Sequence, residues 1–135
     1  MINVKISNKD NRVHKINILG HADYADYGKD IVCAGASTIV TTTVNAIQIF
    51  DKNYISYEEK KDNFEIVINN HNEITDNLIT NMINMLEELE KDYPKNIKIR
   101  KENLLFLLSS LNILFLFSYF ILNTSNGVTK SFIVD

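Results

Sequence analysis

Cysteine occurs once in these 135 residues, at Cys33. No internal disulfide framework can form, which argues against a disulfide-stapled secreted fold and for a reducing compartment. Positive charge is not in excess either: 14 Lys and Arg stand against 17 Asp and Glu, a net charge of −3. No basic patch or stripe is visible, and aromatic residues do not interleave with basic ones, which disfavours direct nucleic-acid binding. An acidic surface suits a basic protein partner through long-range steering. The first residues, Met1-Ile2-Asn3-Val4-Lys5, lack the apolar segment of a signal peptide. No glycine-rich phosphate loop of recognised form is found. His14, His21 and His71 show no metal-ligand spacing, and a zinc site built on one cysteine is improbable. Neither a metal nor a cofactor is therefore expected. What is present is the make-up of one globular domain, 45% apolar and 23% charged, with enough chain to bury one core.

Ile2, Val4 and Ile6 alternate with Asn3 and Lys5, the period of a half-buried strand. Asn8-Lys9-Asp10-Asn11 is turn chemistry. Residues 13–19 are again extended, with Ile16 and Ile18 on one face, so the two runs read as a hairpin. Residues 20–30 are polar and aperiodic, a long loop of the kind that often carries function. Over residues 33–50, Ala36, Ile39, Val40, Val44, Ile47 and Phe50 recur at helical spacing. The run Thr41-Thr42-Thr43 favours a strand by propensity, but the period decides for a helix. Residues 54–60 and 64–69 form a second hairpin around Lys61-Asp62-Asn63. Residues 73–91 are the clearest helix, with Ile74, Leu78, Met82, Met85 and Leu89 as the expected apolar stripe. Tyr93-Pro94 stops it, and Ile97 and Ile99 suggest a short last strand. The order β-β-α-β-β-α-β over residues 1–102 predicts an α+β domain with two helices packed on one sheet.

Cys33 falls at the expected start of a helix, where unpaired N–H groups and the helix dipole favour a thiolate. A nearby imidazole would activate it further. His21 opens the loop that ends at Cys33, so the two can be neighbours in space. The competing reading is that Cys33 is a small buried hydrophobe, as free cysteines usually are. His14 is expected to face solvent from a strand, and His71 to sit in a turn or helix cap. Asp23, Asp26 and Asp30 read as solvated loop charges. Asp30 is also close enough in sequence to orient the imidazole. Ser37, one turn after Cys33, either shares its site or is an ordinary helix serine.

The stretch Gly20-His21-Ala22, the polar loop Asp23-Tyr24-Ala25-Asp26-Tyr27-Gly28-Lys29, and Asp30-Ile31-Val32-Cys33-Ala34-Gly35-Ala36-Ser37 together resemble the ribosomal-processing cysteine protease family, Prp. The resemblance covers about residues 1–100. It implies a cytoplasmic bacterial endopeptidase that removes the N-terminal extension of a large-subunit ribosomal protein, the twenty-seventh of the L series. It implies His21 as general base and Cys33 as nucleophile, with Asp30 and Ser37 accompanying them. It also implies a homodimer and a mobile loop over the site at residues 22–32, including Ala22, Asp23, Tyr24, Tyr27 and Gly28. Backbone N–H groups around Ala34 and Gly35 are the expected oxyanion donors. The alternative is a non-catalytic ribosome-assembly factor of the same fold, with Cys33 in the core.

Residues 103–135 do not fit that family. Residues 104–122 carry no charge and are long enough to cross a bilayer. Lys98, Arg100 and Lys101 precede them and would keep the domain cytoplasmic. The competing readings are an extra buried helix packed in a dimer and a shift of reading frame near Glu102. The abrupt change in composition favours the last of these.

Overall fold

β1 (Ile2–Lys9) turns through Asp10 and Asn11 into β2 (Arg12–Leu19). Both turn residues have positive φ, 52° and 60°. A two-residue hairpin needs that backbone to match the twist of its strands, and Asp and Asn tolerate it best after glycine. After a loop come α1 (Ile31–Phe50), the hairpin β3 (Ile55–Lys60) and β4 (Asn63–Ile68), α2 (Glu73–Asp92), and β5 (Ile97–Asn103). The structure is a computed structural model. It describes residues 1–125 other than Tyr24, Tyr27 and Gly28, and the side chains of 105–110 and 123–125 fall outside the description. The five strands form one sheet in the order β3-β4-β2-β1-β5. Only the β1–β5 pair is parallel. The expected β-β-α-β-β-α-β order and α+β class are thus observed.

Strand alternation sends one set of side chains to the face that the helices cover. Ile2, Val4, Ile6, Ile16, Ile66 and Ile97 are all buried there. α1 adds Val32, Ala36, Val40, Val44 and Ile47, and α2 adds Ile79, Met82, Ile83 and Leu86. Each large aliphatic so buried contributes about 1.5–3 kcal/mol. That burial is why the threonine run of α1 stays helical against its propensity. The buried Thr43 satisfies its hydroxyl by donating to the Ile39 carbonyl at 2.9 Å. The other sheet face is polar and is laced by Lys5–Glu102 and Lys15–Glu65 pairs at 3.0 and 2.7 Å. Glu90 of α2 accepts from Lys98 of β5 at 2.7 Å, and the ammonium holds its carboxyl below the ordinary value. His14 is exposed, and His71 precedes the Asn72 cap of α2.

Three boundaries or phases differ from expectation. α1 begins at Ile31 rather than Cys33, because Asp30 caps it. β5 runs on to Asn103, extended by its parallel pairing with β1. On α2 the buried row is Thr75, Ile79, Met82, Ile83 and Leu86, whereas Ile74 and Met85 are 52% and 47% exposed. Leu78 and Leu89 pack only at the core's margin. Two apolar rows overlap on this helix, and packing against the sheet chose the one with more branched and leucine side chains.

The chain divides after Asn103. The second unit holds α3 (Leu104–Ser125), in which Leu111–Leu122 are exposed throughout. Among the described residues, α1 is the helix that is long and apolar enough to span a membrane, but its apolar side is spent in the core. The shifted phase of α2 is open to measurement. Leu86→Ala should cost about 2–5 kcal/mol in denaturant unfolding, while Met85→Ala should stay within about 0.5 kcal/mol of the parent. The reverse ranking would restore the stripe expected from sequence.

Candidate active site

Four segments converge at the start of α1. The first is the end of β2, where Gly20 has φ +82° and its N–H donates to the Asp62 carbonyl at 2.9 Å. A Cβ at Gly20 would lie 2.7 Å from the Met1 carbonyl oxygen. Both the dihedral and the space therefore demand glycine. The turn delivers His21, which is exposed. Its Nε2 lies 2.5 Å from Asp62 Oδ1. A carboxylate only accepts, so Nε2 is the donor in this bond. Asp62 sits at the tip of the β3–β4 hairpin with φ 61°.

The second segment is the first turn of α1. Asp30 is its N-cap, and Oδ1 accepts from Val32 N at 3.0 Å and Cys33 N at 2.9 Å. Cys33, partly buried, therefore stands in the first turn beside the positive end of the helix dipole. The third segment is Ala22, which is 1% exposed. Its N–H donates to Cys33 Sγ at 3.3 Å, and its carbonyl accepts from Asn96 Nδ2 at 2.9 Å. Asn96, in the turn before β5, is the fourth.

Two clefts meet at Cys33. One, of about 270 Å³, is walled by Ile2, Ile18, Val40 and Phe64, and has His21, Glu59 and Asp62 at its rim. That is small for a cofactor site and suits one apolar side chain. The other, of about 750 Å³, is lined by Asp23, Ala25, Asp30 and Ala34. His21, Cys33, Ser37 and Glu59 belong to both. Among the described residues no group of three His, Cys, Asp or Glu side chains is placed to hold a metal ion.

The structure thus brings His21, Cys33 and Ser37 into one groove and puts Asp30 to a different use from the one expected. The carboxylate on the imidazole is that of Asp62, while Asp30 binds backbone N–H groups of the helix that carries Cys33. Ala22, expected in a mobile loop, is buried and bonded on both sides. Asp23 has φ 52° and pairs with the N-terminal ammonium at 3.1 Å. Tyr24, Tyr27 and Gly28 lie outside the described residues. The Ala34 N–H, expected as an oxyanion donor, closes the first helical bond to the Asp30 carbonyl at 3.0 Å. Gly35 faces Leu89 of α2. Asp62, Asn96 and Glu59 went unnoticed in the sequence. The only local signal was Asp62 within a turn tripeptide, and its distance from His21 in the chain hid the pairing.

The chain resembles known proteins in both sequence and fold. The family model for cysteine protease Prp matches residues 1–98. A Staphylococcus aureus protein named ribosomal processing cysteine protease Prp is 34% identical over 103 residues, which is 73% of this chain and 97% of that relative. Its Bacillus subtilis counterpart is 29% identical over 101 residues, 67% of this chain and 87% of that one. The crystal structure of an essential ribosomal processing protease Prp from S. aureus, with a covalently linked product peptide, superposes with a TM-score of 0.72. It is 31% identical and covers 76% of this chain and 100% of its own.

The cap makes a separate claim. Asp30→Ala should destabilise the domain by about 1 kcal/mol, and Asp30→Asn should recover most of that. Equal losses in the two variants, read by denaturant unfolding, would mean that the cap is not what Asp30 supplies.

Proposed function

The chain belongs to the cysteine protease Prp family, and from that premise we propose that it removes the N-terminal extension of a large-subunit ribosomal protein, the twenty-seventh of the L series. Cys33 is the nucleophile and His21 the base. The observation that supports this most is the Cys33 thiol in the first turn of α1, sharing a groove with His21 and receiving the Ala22 N–H at 3.3 Å.

The helix dipole and the Ala22 N–H both favour negative charge on sulfur. His21 Nδ1 takes the thiol proton, and the thiolate adds to the scissile carbonyl to form a carbon–sulfur bond. Collapse of that adduct breaks the amide, and the imidazolium returns the proton to the leaving amine. Water then hydrolyses the thioester. Asp62 holds the imidazole through Nε2, and Asn96 fixes the Ala22 peptide. Both are positioning residues. Ser37 presents a hydroxyl at the groove wall for a substrate polar group.

The His21–Asp62 pair is exposed, so its worth is at most about 1 kcal/mol, or roughly five-fold in rate. A peptide carrying the extension should be cut by the parent protein and not by Cys33→Ala, with both shown folded by circular dichroism. Asp62→Asn should slow cleavage by about five-fold or less and act on kcat more than on KM. Cleavage surviving in Cys33→Ala would remove the thiol from its assigned role.

The work is assigned to the cytoplasm, where ribosomal proteins are made. α3 stands outside the family match, and from Leu111 to Leu122 it is exposed and apolar apart from Asn112 and Ser118. Its 22 residues rise roughly 33 Å, close to the thickness of a hydrocarbon core. One reading of α3 is a tether that leaves the protease domain on the cytoplasmic face; the frame shift, which the change in composition favours, gives the segment no such role. The full chain should float with phospholipid vesicles while residues 1–103 stay in solution as a homodimer, as sedimentation equilibrium would show. A full chain that stays with the soluble fraction rules out the tether.

A further inference from the structure

We infer that Glu59 is a specificity residue that selects a lysine or arginine side chain of the substrate close to the scissile bond. The inference deepens the peptidase reading and rests on it for the use of the groove as a peptide site.

Four carboxylates line the two clefts, and three of them are committed. Asp23 pairs with the N-terminal ammonium, Asp62 with His21, and Asp30 with the N–H groups of α1. Glu59 is exposed and has no hydrogen-bond or ion-pair partner among the described residues. The other glutamates are placed differently. Glu58, Glu65, Glu87, Glu88, Glu90 and Glu102 each pair with a lysine. Glu73 lies in the first turn of α2, where the dipole accommodates it. Among the described residues no lysine or arginine lines either cleft, so no permanent cation within the groove neutralises Glu59.

Its direction is set by strand parity. Ile55, Tyr57 and Glu59 point to one face of β3, opposite Ile68, Ile66 and Phe64 of β4. Ile55, Ile68 and Ile66 are buried on that face, and Tyr57 stacks on Phe64 with ring centroids 5.7 Å apart. Glu59 is thus the one acidic side chain of β3 on the helix-covered side. It lies at the point where that face opens into the groove beside Cys33 and Ser37. Because both clefts include it, the cation it meets belongs within a few residues of the bond being cut. A substrate cation there forms a charge-assisted pair as the peptide covers the groove and excludes water.

An inward charge on an edge strand also guards against edge-to-edge aggregation, and the test separates the two roles. Fluorescent peptides carry a single lysine at each of three positions on either side of the scissile bond, with norleucine peptides as matched controls. Their binding is measured on full-length Cys33→Ala, and their cleavage on the parent chain. At one position lysine should bind about five-fold better than norleucine. That ratio should fall to near one in the Glu59→Gln version and favour a glutamate peptide in Glu59→Lys. A ratio unchanged by Glu59→Gln, with or without new aggregation, overturns the inference. So does a uniform fall in cleavage of all peptides, which would assign Glu59 to the His21 charge instead. Lysine-selective binding that depends on Glu59 without cleavage by the parent would sink the peptidase reading and leave the role of Glu59 standing.

Discussion

The peptide group of Ala22 ties the site together. Its N–H reaches the sulfur of Cys33, and its carbonyl is held by the side-chain amide of Asn96, 74 residues further on. One residue thereby joins the end of β2, the start of α1 and the turn before β5. Ala22 can occupy that place only because Gly20 bends the chain at a positive φ where a Cβ would strike the Met1 carbonyl. The parallel pairing of β1 with β5 sets Asn96 beside β1, and Ile2 N donates to the Asn96 carbonyl at 2.8 Å. Sheet order, through this chain of contacts, fixes what faces the thiol.

Charge at the groove is divided rather than pooled. Asp30 serves the helix backbone, Asp62 the imidazole, and Asp23 the N-terminal ammonium, so each carboxylate has a separate duty. The pairs are largely exposed, and each alone is weak. What distinguishes the arrangement is position: the Cys33 thiol meets the helix end and the Ala22 N–H, and the hairpin tip holds the His21 ring. The apolar wall of Ile18, Val40 and Phe64 continues the core and shapes one side of the groove.

Much of the fold was legible in the amino-acid sequence. Alternation in residues 2–6 and 64–68, turn chemistry at Asp10-Asn11 and a helical period through Val40, Val44 and Ile47 gave the element order and the α+β class. Phase on α2 was not legible, since Ile74–Leu78–Met82 and Ile79–Met82–Leu86 are both acceptable helical rows. The start of α1 was missed by two residues because Asp30 read as a loop charge instead of a cap.

For the site, the sequence by itself determined the candidate chemistry: one thiol, a histidine at the far end of a short loop, and a glycine-led motif that resembles a protease family. Such local signals survive because turns, caps and dipoles act over a few residues. Only the tertiary structure decided which groups attend that chemistry. Asp62 replaced Asp30 at the imidazole, Ala22 became a fixed donor, Asn96 arrived from the other end of the domain, and Glu59 was left without a partner among the described residues. The physical reason is that hydrogen bonds and charge pairs depend on distance in space, and strand pairing sets those distances across separations that no local pattern records.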